Sequence, residues 1–299
     1  MADSRVIQRY TQYVGCPTDF AHSKMFYRSF DFGPYPAETE NVLVYCPALI
    51  RLLKSMSQLR KFKFDTFLHP EDCGEYAKIR DLFLAPGQAP RFQLKGITSL
   101  YVDEYSLFLL AICPKVNTLR LEIIDRRPDT SHIDWPLAAR VRYLHLAHHS
   151  RRWEAIAEET PEFCHAITRS MPNVATLVLE TIDDAQSVLP KFYGFASLET
   201  LVIPDLETLG FAFHRGWCGT PWVRPGGRER LQQLEAEALE NGRREMMTLA
   251  LDVFPQLRRL WIGRDEMYDL SLLRGSDALD DLAANNIQFT PAWDIVSRY

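Results

Sequence analysis

A short apolar signature returns seven times along this chain and constrains its fold more than any other feature. In the segment from Cys113 to Ile124, the apolar residues Val116, Leu119 and Leu121 stand at relative positions 1, 4 and 6. The alternation at the end of this signature predicts a short strand with one buried face. The other copies are Leu59-Phe62-Phe64, Ile97-Leu100-Val102, Val141-Leu144-Leu146, Val174-Leu177-Leu179, Leu198-Leu201-Ile203 and Leu257-Leu260-Ile262.

The stretches between the copies predict helices that connect one strand to the next. Proline precedes several strands, at Pro114, Pro172 and Pro255, where it stops a helix and favours extended backbone. A repeated unit of strand, turn, helix and turn places successive strands parallel and side by side. The sequence therefore predicts an α/β fold, an irregular leucine-rich-repeat solenoid with a curved parallel sheet inside and helices outside. The predicted connectors are Tyr76–Leu84, Ser106–Ile112, Pro161–Met171 and Gln186–Tyr193.

The spacing of the copies predicts one solenoid domain over residues 1–299, with a cap at each end. The first residues hold no copy of the signature but many aromatic side chains, which are suited to covering the exposed end of a first strand. A long insertion separates the last two copies. The expected divisions are an N-terminal cap at 1–56 with a helix at Thr39–Met56, repeats at 57–266, an insertion at 204–254 with a charged helix at 229–250, and a C-terminal cap at 267–299.

Composition and charge narrow the class of partner and the compartment. The formal net charge of -5 argues against nucleic acid or an anionic membrane as the main partner. The longest uncharged apolar run, Tyr105 to Pro114, has about half the length of a membrane span. The first residues show no secretory signal, and the six cysteines form no CxxC pair, which is typical of reduced, buried thiols. We therefore expect a cytoplasmic protein, with the nucleus as the alternative.

The strands preceded by Pro-x-Val or Pro-x-Leu, in units of uneven length, resemble the leucine-rich-repeat region of fungal F-box/LRR-like proteins, an irregular ribonuclease-inhibitor-like class. The similarity covers about residues 59–263. It implies a repeat scaffold that binds other proteins, and the usual role in that family is recruitment to a ubiquitin ligase. This sequence differs from the family pattern in two respects, because position 9 of the repeats holds no asparagine and no Leu-Pro-x-Glu segment of an F-box is found.

Positions 3, 5 and 7 of each strand are expected to point out of the concave face, opposite the core. Binding residues of repeat proteins usually come from such a face. The loop 214–227 is a second candidate because tryptophan and arginine are frequent at binding hot spots. For the concave face, the alternative is that these are solvated strand residues that pair across strands. For the loop, the alternative is that the tryptophans only hold it in place. The predicted binding residues are Tyr101, Asp103, Arg120, Glu122, Tyr143, His145, Trp217, Trp222 and Trp261.

Two functions fit these residues. The first is a non-catalytic recognition scaffold that binds a protein or peptide partner through the concave face and the loop 214–227. The second is a cofactor-independent enzyme of the isomerase, cyclase or proton-transfer type, acting on a small apolar metabolite as in fungal secondary metabolism. In the enzyme, His145 or Asp103 would act as general base, and Tyr143 or Arg120 would stabilise an oxyanion.

The sequence lacks the common signatures of hydrolases and nucleotide-binding proteins. The sequence contains no GxSxG, GxGxxG or P-loop segment. His145, His148 and His149 lack the fixed spacing of a metal site, so neither a metal nor another cofactor is expected. An enclosed apolar cavity between sheet and loop would favour the enzyme, whereas an open, charged sheet would favour the scaffold.

Overall fold

The computed structural model describes the protein as an α/β fold in which short, mostly parallel strands alternate with helices and tight turns. The described residues form two compact units, one up to Val141 and one from Arg142 onward. The described ranges are 29–32, 42–64, 73–87, 89–123, 135–148, 161–180, 185–204, 244–262, 266–273 and 285–286.

The first unit is built on four parallel strands that pair in chain order. These strands are β1 (Ser29–Phe32), β2 (Lys61–Phe64), β3 (Ser99–Asp103) and β4 (Thr118–Ile123). The helices are α1 (Val42–Ser55), α2 (Cys73–Phe83) and α3 (Leu109–Ile112), with 3-10 turns at Glu104–Ser106 and Trp135–Arg140.

The second unit has four parallel strands followed by two antiparallel ones. These strands are β5 (Tyr143–His148), β6 (Thr176–Leu179), β7 (Thr200–Ile203), β8 (Arg259–Ile262), β9 (Glu266–Asp269) and β10 (Asn285–Asn286). Its helices are α4 (Pro161–Ser170), α5 (Ala185–Val188) and a helix that includes residues 244–253, with 3-10 turns at Leu189–Phe192 and Leu270–Leu273.

The strand register follows the repeat signature within each unit. Position 3 of one strand pairs with position 3 of the next, as in Lys61, Ser99 and Thr118 of the first unit. All residues at positions 1, 4 and 6 of the seven predicted copies are buried. Because a slip of one residue would turn these side chains to the other face, the apolar positions fix the register. The predicted register is thus confirmed within each unit.

A recurring turn precedes every one of these strands. The backbone N–H at position 1 donates to the carbonyl three residues earlier in all seven copies, at 2.9 to 3.2 Å. The residue that supplies this carbonyl is always apolar and buried, although the sequence analysis did not single it out. These residues form a fourth apolar position of the repeat and are Met56, Leu94, Cys113, Ala138, Met171, Phe195 and Phe254.

Two strands lie outside the predicted copies. Strand β1 pairs in parallel with β2, and its Phe30 and Phe32 align with Phe62 and Phe64. The sequence analysis had assigned this aromatic segment to the cap alone. Strand β9 runs antiparallel to β8 and begins four residues after β8 ends. Such a return needs only a short connection and no helix, so the repeat pattern gives no sign of it.

Several expectations concern residues that the structure does not describe. These are most of the N-terminal cap, the loop 214–227, the start of the charged helix at 229–243 and the end of the C-terminal cap. The described end of the helix continues to residue 253, three residues beyond the predicted end. No described helix combines the length and the apolar character that a bilayer-crossing segment requires.

We predict that Phe254→Ala lowers the free energy of unfolding by about 3–5 kcal/mol, because the Phe254 side chain is fully buried in the turn before β8. Urea unfolding followed by circular dichroism measures the change. The control is Gln256→Ala in the same turn, where the side chain is exposed and the expected change is within about 0.5 kcal/mol. Equal effects of the two substitutions would show that the fourth apolar position does not stabilise the repeat.

Candidate functional site

The predicted site residues are divided between the two units. Each group is described within its own unit. The first unit holds Tyr101, Asp103, Arg120 and Glu122, and the second holds Tyr143, His145 and Trp261. Trp217 and Trp222, with the rest of the loop 214–227, lie outside the described residues.

The first unit carries a cluster of charged side chains around one aromatic ring, here called the Tyr101 cluster (Lys63, Tyr101, Arg120 and Glu122). Lys63, Tyr101 and Arg120 occupy position 5 of three adjacent strands and pair in register. The Lys63 Nζ lies 5.1 Å from the centroid of the Tyr101 ring, and the Arg120 Cζ lies 4.8 Å from it. The Tyr101 hydroxyl donates a hydrogen bond to the Glu122 carboxylate. All four side chains are half-buried.

The geometry of the Tyr101 cluster fixes the ring from several directions. A cation within about 6 Å of a ring centroid is attracted by the electrons of the ring, and each such contact contributes about 0.5–1 kcal/mol at an exposed site. The carboxylate of Glu122 accepts a charge-assisted hydrogen bond from the ring hydroxyl, which is stronger than a neutral one. Tyr101 is therefore held in one orientation while part of its surface stays exposed.

Asp103, at position 7 of β3, has a structural role in the first unit. Its side chain is only 2% exposed, and its Oδ1 accepts a hydrogen bond of 2.7 Å from the backbone N–H of Ser106. This contact caps the 3-10 turn that follows the strand. The sequence analysis expected Asp103 to point out of the concave face, whereas the structure buries its side chain at the end of β3, against the turn that follows. Asp103 therefore stabilises the turn that follows β3.

The second unit pairs His145 with a carboxylate that the sequence analysis did not select. The Nε2 of His145 lies 2.7 Å from the Oε1 of Glu180. The His145 side chain has no exposed surface, whereas 26% of the Glu180 side chain is exposed. Glu180 follows Val178, the register partner of His145, by two residues and so lies on the same face. The sequence could have indicated this pair, because a residue at position 5 of one strand lies diagonally opposite position 7 of the next strand.

The remaining position-5 residues of the second unit form an apolar group, here called the Trp261 row (Val178, Val202 and Trp261). All three are buried, at 0%, 0% and 9% exposure, and Tyr143 and Met267 pack against them. The sequence analysis expected position 5 to point out of the concave face, opposite the core, whereas these three side chains are buried. The physical reason is that β6, β7 and β8 carry apolar residues on both faces, as strands buried on both faces do.

The described thiols are unsuited to nucleophilic or metal chemistry. Cys46, Cys113 and Cys164 are free and buried. Burial raises the pKa of each of these thiols to about 12. Within the ranges that the structure describes, no three His, Cys, Asp or Glu side chains come together as a metal site.

We predict that Glu180→Ala lowers the free energy of unfolding by about 1–3 kcal/mol, because it removes a hydrogen-bond partner of a fully buried imidazole. Thermal and urea unfolding measure the loss. The control is Glu199→Ala, since the Glu199 side chain is exposed at position 2 of the next strand and the expected change is within about 0.5 kcal/mol. A Glu180→Ala protein as stable as the wild type would contradict a structural pairing with His145.

We also predict that iodoacetamide at pH 8 leaves Cys46, Cys113 and Cys164 unmodified in the native protein. With a pKa of about 12, on the order of one thiol in ten thousand is ionised at this pH, and burial blocks access as well. Peptide mapping by mass spectrometry reports each cysteine separately, and urea-unfolded protein provides the fully reactive reference. Rapid alkylation of Cys113 before unfolding would show that this thiol is exposed.

The described site residues thus form two groups of different character. The Tyr101 cluster is polar, charged and half-buried, whereas the Trp261 row is apolar and buried beside the pair of His145 and Glu180. Their roles are assigned from this geometry. Comparison of the chain with models of known protein families and with curated protein sequences gives no match.

Proposed function

We propose that this protein is a recognition scaffold of the irregular leucine-rich-repeat kind, which binds a protein or peptide partner in the cytoplasm or nucleus. The binding surface in the described residues is the face of the first unit that carries the Tyr101 cluster, and the loop 214–227 is a separate candidate that the sequence suggests. The resemblance to fungal F-box/LRR-like proteins supports the same function. The observation that carries the proposal is the half-buried row of Lys63, Tyr101 and Arg120, braced by Glu122.

The order within the Tyr101 cluster suits it to binding. A partner that binds loose side chains must immobilise them, at about 0.5–1.5 kcal/mol for each flexible side chain. In this cluster the ring of Tyr101 is already fixed by two cations and one carboxylate. Tyrosine and arginine are also among the residue types that contribute most binding energy at protein interfaces. A partner can therefore use this surface with little loss of conformational entropy.

The charges of the Tyr101 cluster restrict which partners can bind. Two cations lie on either side of the ring in register, and one carboxylate lies two residues along from Arg120. A partner that places a carboxylate near Arg120 and a hydrogen-bond donor near Glu122 matches this pattern, whereas the opposite arrangement brings like charges together. The cluster therefore selects by charge pattern rather than by apolar area alone.

The second candidate function is the cofactor-independent enzyme acting on a small apolar metabolite. The observation that favours it is the buried, apolar Trp261 row in the second unit. In this function Glu180, rather than His145, would contact the substrate, because only Glu180 has exposed surface. His145 would then be a positioning residue that orients the Glu180 carboxylate. We rank the scaffold first because the polar surface of the Tyr101 cluster is accessible without any rearrangement.

We predict that Arg120→Glu abolishes the enrichment of peptides selected on the wild-type protein from a displayed random library. The substitution reverses the charge over the Tyr101 ring and places a second carboxylate in the cluster. The control is Lys115→Glu, which makes the same change in net charge at an exposed turn before β4. The melting temperatures of both variants should stay within a few degrees of the wild type. Selected peptides that bind Arg120→Glu as well as Lys115→Glu would reject this surface, as would a failure of the wild type to enrich any peptide.

A further inference from the structure

Within the four described strands of the first unit, position 3 carries no acidic residue. The position-3 residues pair in register from β1 to β4 and are Ser29, Lys61, Ser99 and Thr118. Lys61 is half-buried and precedes Lys63 of the Tyr101 cluster by two residues, so the two lysines share a face. Lys61 and Lys63 on one side of β3, with Arg120 on the other, therefore flank the stretch of β3 from Ser99 to Tyr101.

The acidic residues of these strands stand at other positions. Asp103 and Glu122 occupy position 7 and are paired in register. Each already accepts a hydrogen bond, Glu122 from the Tyr101 hydroxyl and Asp103 from the backbone N–H of Ser106. A third acidic residue, Asp31, occupies position 5 of β1, in register with the lysine of the cluster. From β2 to β4 the face is therefore basic at positions 3 and 5 and acidic at position 7, so an anion is favoured on the position-3 side.

The cations of this face can bind an anion in addition to the contacts that they make within the protein. A cation over a ring is attracted through its charge, and an ammonium group has three N–H donors and a guanidinium group five. Burial lowers the pKa of Lys61, because its charged form loses hydration. An anion beside Lys61 would favour the charged form again.

The distance between the cations indicates how two anionic groups of a partner would be spaced. The Lys63 Nζ and the Arg120 Cζ lie 5.1 and 4.8 Å from the centroid of the same ring, so they are at most about 10 Å apart. Because they belong to the strands on either side of β3, an extended segment that contacts both must cross the strands. Side chains on one face of an extended segment repeat about every 7 Å, at residues i and i+2, whereas residues i and i+4 are about 13 Å apart. Acidic residues at i and i+2 therefore fit this spacing.

We propose that the partner presents an extended acidic segment with carboxylates at alternate residues, which crosses β2, β3 and β4 on the position-3 side of the Tyr101 cluster. One carboxylate contacts Arg120, and the other contacts Lys61 and Lys63. This inference rests on the proposed function, because it names the partner chemistry of the same surface. A protein segment fits better than nucleic acid, since the formal net charge of -5 repels a long polyanion whereas a short segment meets mainly the local cations.

The test selects peptides from a displayed random library on the full chain and measures the binding of the most enriched sequences by fluorescence anisotropy. These sequences should carry aspartate or glutamate at alternate residues. Replacing either acidic residue of the peptide by its amide should weaken binding about threefold, which is the ratio that an exposed ion pair provides. In Arg120→Gln one of the two replacements should have no further effect, and in Lys61→Gln the effect of the other should be smaller. The matched control is Lys115→Gln, which removes an exposed cation before β4 and should leave both effects unchanged.

The outcomes separate this inference from the proposed function. If the wild type enriches no peptide, both are rejected. Enriched peptides without alternate acidic residues, or with acidic residues that can be replaced without loss of affinity, would overturn the acidic partner and leave the scaffold function in place. Peptide replacements with the same effects on Arg120→Gln and Lys61→Gln as on the wild type would also overturn it, because the carboxylates would then contact other residues. Binding of a short oligothymidylate as tight as that of the selected peptides would assign the surface to nucleic acid instead.

Discussion

The turn that begins each repeat is the constraint on which the rest of each unit depends. It ties the N–H at position 1 to a carbonyl of a buried apolar residue three positions earlier. The carbonyl of the residue at position 2 then accepts hydrogen bonds from the backbone N–H groups at positions 2 and 3 of the following strand. The Arg60 carbonyl, for example, accepts from Thr98 and Ser99. Glu199 accepts from Arg258 and Arg259 in the same way. The turn and the position-2 carbonyl together set where each strand starts and how it pairs with its neighbour. As a result, side chains at equal repeat positions lie on the same face of the sheet within each unit.

The same backbone arrangement presents different chemistry in the two units, and the difference is clearest at position 5. In the first unit position 5 holds Lys63, Tyr101 and Arg120, whose long polar side chains keep part of their surface in solvent. In the second unit the same position holds Val178, Val202 and Trp261, which are buried. The backbone pairing is alike in both cases. Fold therefore limits where a binding surface lies, and the side chains at one repeat position decide what it binds.

The sequence predicted the strands and their register well because the apolar triplets repeat with the period of a half-buried strand. It missed the fourth apolar position, since that residue lies in a turn and not on the strand. Strand β1 was missed because its aromatic residues lie in a segment that was assigned to the cap, although Phe30 aligns with Phe62 of a predicted copy. The burial of Val178 and Val202 was also missed. Alternation tells which residues share a face, but it does not tell whether anything covers that face. Contact between His145 and Glu180 depends on a diagonal relation across strands, which a comparison of equal positions overlooks.

Polar groups interrupt the buried face of the second unit, which otherwise carries apolar side chains. A face shaped for stability alone would continue the apolar residues of Val178 and Val202 to its edges, because burying polar groups gains little even when they are paired. Here the row ends instead in the pair of His145 and Glu180, and Thr200 places a buried hydroxyl beside it. Departures from the apolar pattern concentrate at functional sites, where selectivity matters more than stability. The stability of the sheet alone therefore leaves His145, Glu180 and Thr200 without an explanation.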